Sequence, residues 1–130
     1  MHLWKLTFGT GRWERLPLRG KYPKSAYGSR GNCNDKHLLV YGGALQYYSK
    51  SDNSLFICDL SSLEWNVFPT VGANPPDLHR QGFVRIGTDM YVIRGIMHNS
   101  RPISYSGVFH LDLKTGIWTA LPSTENPHIE

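Results

Sequence analysis

A period of about fifty residues constrains this chain more than any other feature, because a recurring unit must build a repeated structure. Trp13, Trp65 and Trp118 open the same short pattern, an aromatic followed four residues later by proline: Trp13 to Pro17, Trp65 to Pro69 and Trp118 to Pro122. Six residues before the second and third tryptophans stands an Asp-Leu pair, Asp59-Leu60 and Asp112-Leu113. Gly43 and Gly95 keep the same offset, and Gly28 and Gly82 keep nearly the same. The most apolar run, Leu38-Leu39-Val40-Tyr41, ends on Gly42-Gly43, and its counterpart Met90-Tyr91-Val92-Ile93 ends on Arg94-Gly95.

Each unit reads as four short strands. In the first complete unit, strands are expected over 26–31, 37–41, 55–60 and 65–68, with a tight polar turn over 32–36 and a long loop over 44–53. In the second, they are expected over 82–86, 90–93, 107–113 and 117–121, with a long loop over 96–104. Two strands, 3–6 and 13–16, precede these as half of another unit, joined by a turn over 8–11. Polar links fill 18–25, 70–79 and 123–130. The continuous apolar run at 37–41 implies a strand covered on both faces. No stretch carries the 3.6-residue period of a helix. With 13 glycines and 8 prolines among 130 residues, the composition also favours a turn-rich, all-β chain.

Four strands repeated at this period describe the blade of a β-propeller. A glycine where the second strand ends lets the backbone turn in a crowded space, and a tryptophan fills the wedge between blades. Gly42 and Gly43 behind Leu39-Val40-Tyr41, the pairs at Asp59 and Asp112, and Trp65, Gly95 and Trp118 together resemble the kelch-repeat family, over residues 3–122. The expected fold is all-β, a partial kelch propeller of two four-stranded blades plus half a blade. Residues 1–17 would be the last two strands of an incomplete blade, 18–69 and 70–122 the two complete repeats with their links, and 123–130 the start of a further link. Closure takes about 4–8 blades, so the chain is expected to be a fragment of a longer propeller, or the product of a truncated gene model. Arg94, where the first unit has Gly42, is expected either to bend its blade or to add charge at the propeller mouth.

The alternation of strands sends the long loops and the links to one face and the short turns to the other. Long loops on a rigid scaffold are where binding concentrates. That face is expected to present Tyr47, Tyr48, His79, Arg80, Arg94, Asn99 and Arg101, together with Arg19, Lys21, Lys24, Lys50, His98 and Tyr105. Tyr and Arg are favoured at binding hot spots, and Arg clamps carboxylates through two parallel hydrogen bonds. The expected ligand is a protein or peptide with acidic side chains or a free C-terminal carboxylate. The resemblance implies the same task, peptide capture at a propeller mouth. It is closest to the kelch proteins that serve as substrate receptors of ubiquitin ligases. A cytoskeletal or scaffold kelch protein is the alternative, and a kelch-type metabolic enzyme comes third.

Catalysis is not expected. The six histidines show neither HxH nor HExxH spacing. The acidic loop residues Asp52 and Asp77 lie in different loops, and no phosphate-binding glycine loop precedes a helix. No metal or cofactor is expected. Some kelch propellers are copper oxidases with a Tyr–Cys crosslink, but Cys58 reads as a strand residue and Cys33 as a turn residue on the opposite face. The absence of a signal peptide, of an N-x-Ser/Thr sequon and of a cysteine framework fits a reducing compartment, cytoplasmic or nuclear. No apolar run reaches the ~20 residues that span a bilayer, so no membrane partner is expected. Residues 1–36 carry eight Lys and Arg against two Asp and Glu, whereas the remainder carries six against eight. These cations are scattered singly between repeat positions such as Trp4 and Trp13, so nucleic acid is not an expected partner.

Overall fold

The computed structural model describes residues 2–24, 28–43, 53–76, 78–98 and 102–122. For 78–79, 94–98 and 102–106 the description is of the backbone alone. Every regular element among these residues is a strand.

A hairpin opens the chain, β1 (Leu3–Thr7) against β2 (Arg12–Leu16). The first full sheet contains β3 (Arg19–Gly20), β4 (Arg30–Cys33), β5 (His37–Tyr41), β6 (Leu55–Asp59) and β7 (Glu64–Val67), in the spatial order β4-β5-β6-β7-β3. The second contains β8 (Val71–Gly72), β9 (Leu78–His79), β10 (Gly82–Ile86), β11 (Asp89–His98), β12 (Pro102–Asp112) and β13 (Ile117–Leu121). Its order is β10-β11-β12-β13-β8, with β9 also paired to β11. Each full sheet is thus a meander of four antiparallel strands. Each also gains a two-residue parallel strand on its outer edge, taken from a segment read as a polar link.

The turns that close these meanders share one chemistry. The Asp59 carboxylate accepts hydrogen bonds from the Ser61 amide (2.8 Å), the Ser61 hydroxyl (2.6 Å) and the Ser62 amide (3.2 Å). These bonds favour the ionised form and hold its pKa below the usual carboxylate value. Asp112 repeats the arrangement by accepting from the Lys114 amide at 2.8 Å. Both turns are then locked by a backbone bond four residues long, from Leu63 N–H to Asp59 O (2.7 Å) and from Gly116 N–H to Asp112 O (2.8 Å). The first hairpin closes in the same way, Gly11 N–H to Thr7 O (2.8 Å), with Thr7 in the place of the aspartate.

β5 runs through the middle of the molecule, and alternation divides its side chains between two cores. Leu39 and Tyr41, with Leu55, pack against Met90, Val92, Phe109, Leu111 and Trp118 of the second full sheet. Val40, with Phe56, Cys58 and Trp65, packs toward Leu3 of the first hairpin, Leu38 and Leu18 flanking. The hairpin and the two sheets therefore stack face to face in chain order, and β5 is buried on both sides as its apolar run implies. Trp65 fills the first interface and Trp118 the second, each completely or almost completely buried. Trp118 lies against Tyr41, ring centres 5.6 Å apart.

Three boundaries differ from expectation. The strand expected over 26–31 is β4 (Arg30–Cys33), so Cys33 ends a strand rather than sitting in a turn. The turn begins at Asn34, whose side-chain oxygen accepts from the Lys36 and His37 amides at 2.9 and 2.8 Å. The long loop expected over 96–104 is mostly strand: β11 continues to His98, and β12 begins at Pro102. A bulge between Ile93 and Gly95 resets the register there, and pairing with β9 satisfies the extension on its other edge. The link expected over 70–79 contributes both β8 and β9.

Candidate functional site

At the end of the sheets where β5 stops, backbone geometry does most of the positioning. Gly42 and Gly43 leave the strand at φ 71° and 106°, conformations that a Cβ disfavours, and both are buried. The equivalent point of the second sheet behaves differently. β11 passes through Arg94-Gly95 by way of the bulge and carries on for three further residues. The two sheets, built on one repeat, therefore present different mouths: a sharp glycine turn in one and an extended hairpin in the other.

The link between the sheets is fastened at this end. Leu78 and His79 pair with Met97 and Ile96, so the link and the β11–β12 hairpin run side by side. Arg80 adopts a left-handed φ of 56° with its side chain exposed, while its amide donates to Gly28 O at 2.7 Å. Gln81 then turns inward. It is 1 % exposed, and its Nε2 donates to Tyr41 O at 2.9 Å, tying the start of β10 to the end of β5. A non-glycine residue at positive φ is held only where its surroundings over-determine it. Here the Gly28 and Gln81 bonds bracket Arg80 on both sides and fix where its guanidinium leaves the backbone.

Of the residues expected on the long-loop face, the structure puts Arg80 at the surface beside this clamp. His79 and Arg94 have their backbones in β9 and β11, at the same end of the second sheet. Tyr47, Tyr48, Asn99 and Arg101 lie outside the described residues, as do Asp52 and Asp77. The repeat markers have definite roles. Gly42 and Gly43 turn the chain, Asp59 and Asp112 build turns, Gly95 follows the bulge, and Trp65 and Trp118 fill the interfaces. Sequence reasoning missed Gln81. A single glutamine before a strand carries no periodic signal, and only the fold shows that it spans two sheets.

The chemistry available elsewhere is limited. Among the described residues, no group of three or more His, Cys, Asp or Glu could hold a metal ion. Both cysteines are free. Burial raises the Cys58 thiol pKa, with the Asp59 charge adding to it, so that sulfur is held protonated and poorly nucleophilic. His110 and Asp89 pair at 2.8 Å on the far face of the second sheet. Among the described residues, no helix is long and apolar enough to cross a membrane.

The family model described as the KLHDC2/KLHL20/DRC7 Kelch-repeats domain matches residues 1–129. This chain belongs to the kelch-repeat family. Its two stacked sheets are kelch blades, and the β1–β2 hairpin is half of a third. Kelch domain-containing protein 2 of Bos taurus is 25% identical over 150 residues, covering 96% of this chain and 36% of that protein. Kelch domain-containing protein 10 of Xenopus laevis is 29% identical over 123 residues, covering 90% of this chain and 28% of the relative. The chain thus spans about a third of the length of these curated relatives.

Proposed function

We propose that this chain is a protein-interaction module, the peptide-recognition part of a ubiquitin-ligase substrate receptor, working in the cytoplasm or nucleus. The supporting observation is Arg80. It is an exposed cation on a left-handed backbone, held between the Gly28 and Gln81–Tyr41 hydrogen bonds at the end of the blades where the glycine turn and the extended hairpin emerge. The side chain departs from a fixed stretch of backbone, and an Arg guanidinium suits a carboxylate through two parallel N–H···O bonds. The proposed ligand is accordingly an acidic peptide or a free peptide C-terminus, with Arg94 and His79 contributing from the same end.

Fluorescence polarisation with peptides ending in a free carboxylate, and with the same peptides amidated, tests the site. Arg80→Ala should weaken the free-carboxylate peptides by about tenfold or more, as loss of one charge-assisted hydrogen-bond pair does, and amidation should abolish the difference. Affinity unchanged from wild type in both Arg80→Ala and Arg94→Ala would sink the assignment. The ligase role has its own readout, co-purification of a cullin scaffold with the natively expressed protein.

A further inference from the structure

Strand register shows which residues of the two blades correspond. Arg30 stands opposite Tyr41, and Gly82 stands opposite Ile93, where Tyr41 and Ile93 close the same apolar run in each unit. Arg30 therefore corresponds to Gly82, and Gly28 to Arg80. The backbone agrees, since Gly28 and Arg80 are both left-handed, at φ 69° and 56°. The repeat asks for a glycine at this position, and the second blade places an arginine there instead. A side chain kept in such a conformation points to a functional constraint on the position. The same comparison singles out Arg30, a cation where the second blade has a glycine.

The two arginines share one corner of the mouth. The Arg80 amide donates to Gly28 O at 2.7 Å, and Arg30 follows Gly28 by two residues, at most about 7 Å of chain. The Arg30 side chain is exposed, and its Nη1 donates to Ser29 O at 3.2 Å, so the guanidinium folds back toward the Gly28–Arg80 bond. Tyr41 joins the two as well: it pairs with Arg30, and its carbonyl accepts from Gln81 at 2.9 Å. Both blades that build this corner have all four strands of their meander. Among the described residues, no carboxylate pairs with Arg30. Two guanidiniums leaving one corner repel each other unless an anion lies between them. We infer that Arg30 is a second cation of the binding site and that the ligand brings two carboxylates, as a peptide ending in Asp or Glu with a free C-terminus does. The inference rests on the peptide-terminus reading of Arg80: Arg80 takes the terminal carboxylate, and Arg30 takes that of the last side chain.

Fluorescence polarisation with four peptides that differ only at the last residue tests this: Asp or Asn, each with a free or an amidated terminus. The wild-type protein should bind the free Asp peptide about tenfold or more tighter than the free Asn peptide, as one further charge-assisted pair does. Arg30→Gln should remove that preference and keep the preference for a free over an amidated terminus. Arg30 is exposed, so the fold should tolerate the change, and circular dichroism checks it. Arg19→Gln removes an equal charge at the opposite end of the first sheet, where Arg19 Nη1 donates to Ser62 O, and should leave both preferences in place. Wild-type protein indifferent to Asp against Asn, or an Arg30→Gln variant that still prefers Asp, overturns the inference while the reading of Arg80 stands. An equal loss in Arg19→Gln also overturns it, because net charge rather than a site would then be at work. Amidation without effect in every variant overturns the reading of Arg80 and this inference with it.

Discussion

At Leu63 the chain adopts φ 59°, while the equivalent residues of the other two turns are Gly11 and Gly116, at 65° and 72°. A left-handed non-glycine residue costs roughly 1–2 kcal/mol, so this turn is closed against its own backbone preference by the Asp59 hydrogen bonds. The second turn has no such tolerance. A Cβ on Gly116 would meet Pro69 O at 2.7 Å. Gly116→Ala should therefore destabilise the chain by about 1–2 kcal/mol or more, whereas Leu63→Gly should change stability by less than about 1 kcal/mol, relief of φ offsetting lost backbone entropy. Urea unfolding of the two variants, with unchanged m-values, measures the contrast. The Asp-Leu pairs announced two of these turns in the sequence. The third, expected over 8–11 from its glycines, lacks that mark because Thr7 takes the aspartate's place, and only the backbone bond is common to all three.

Among the elements, the short parallel strands β3 and β8 were invisible beforehand. Two residues give no alternation to read, and the segments around them are polar. Their signature was nevertheless present in Gly20 and Gly72, spaced like the other repeat markers. Each adopts positive φ, and a Cβ on either would run into the backbone carbonyl of the buried tryptophan beside it, Trp65 or Trp118. Gly20→Ala should detach β3 from β7 while leaving the four-stranded meander folded. Amide exchange reads this directly: protection of the Lys21 amide, which donates to Trp65 O at 2.9 Å, should fall toward that of an open loop, with amides of β5 and β6 unchanged. Loss of protection throughout the sheet would show that the outer strand supports the whole blade. β11 presents the opposite situation. Its core half was legible from the apolar run at 90–93, but its continuation to His98 depends on a bulge and on pairing with β9, and both are long-range events.

On the scale of the whole molecule, stability rests on the faces between sheets, since a lone sheet leaves both of its faces in water and burial comes only where two sheets meet. Trp65 and Trp13 occupy the same repeat position and differ only in what lies in front of them. Trp65→Ala should cost about 3–5 kcal/mol, the usual penalty for emptying a buried aromatic site. Trp13→Ala should stay within about 0.5 kcal/mol, as exposed substitutions do. Thermal or chemical unfolding of the two variants distinguishes them. Equal losses at the two positions would mean that Trp13 is covered in solution.

The sequence by itself determined the period, the all-β class, the central place of β5 and the identity of the wedge tryptophans. Each of these follows from local pattern: alternation, a glycine at a forced turn, one tryptophan per complete repeat. Tertiary structure alone decided the parallel edge strands, the bulge and extended hairpin at Arg94, and the Gln81 bond that ties two blades beside Arg80. These depend on which backbone groups meet across many residues, and hydrogen-bond pairing at that distance leaves no periodic trace in the residues that make it. The repeat therefore specifies the scaffold, and the long-range pairing specifies how its two mouths come to differ.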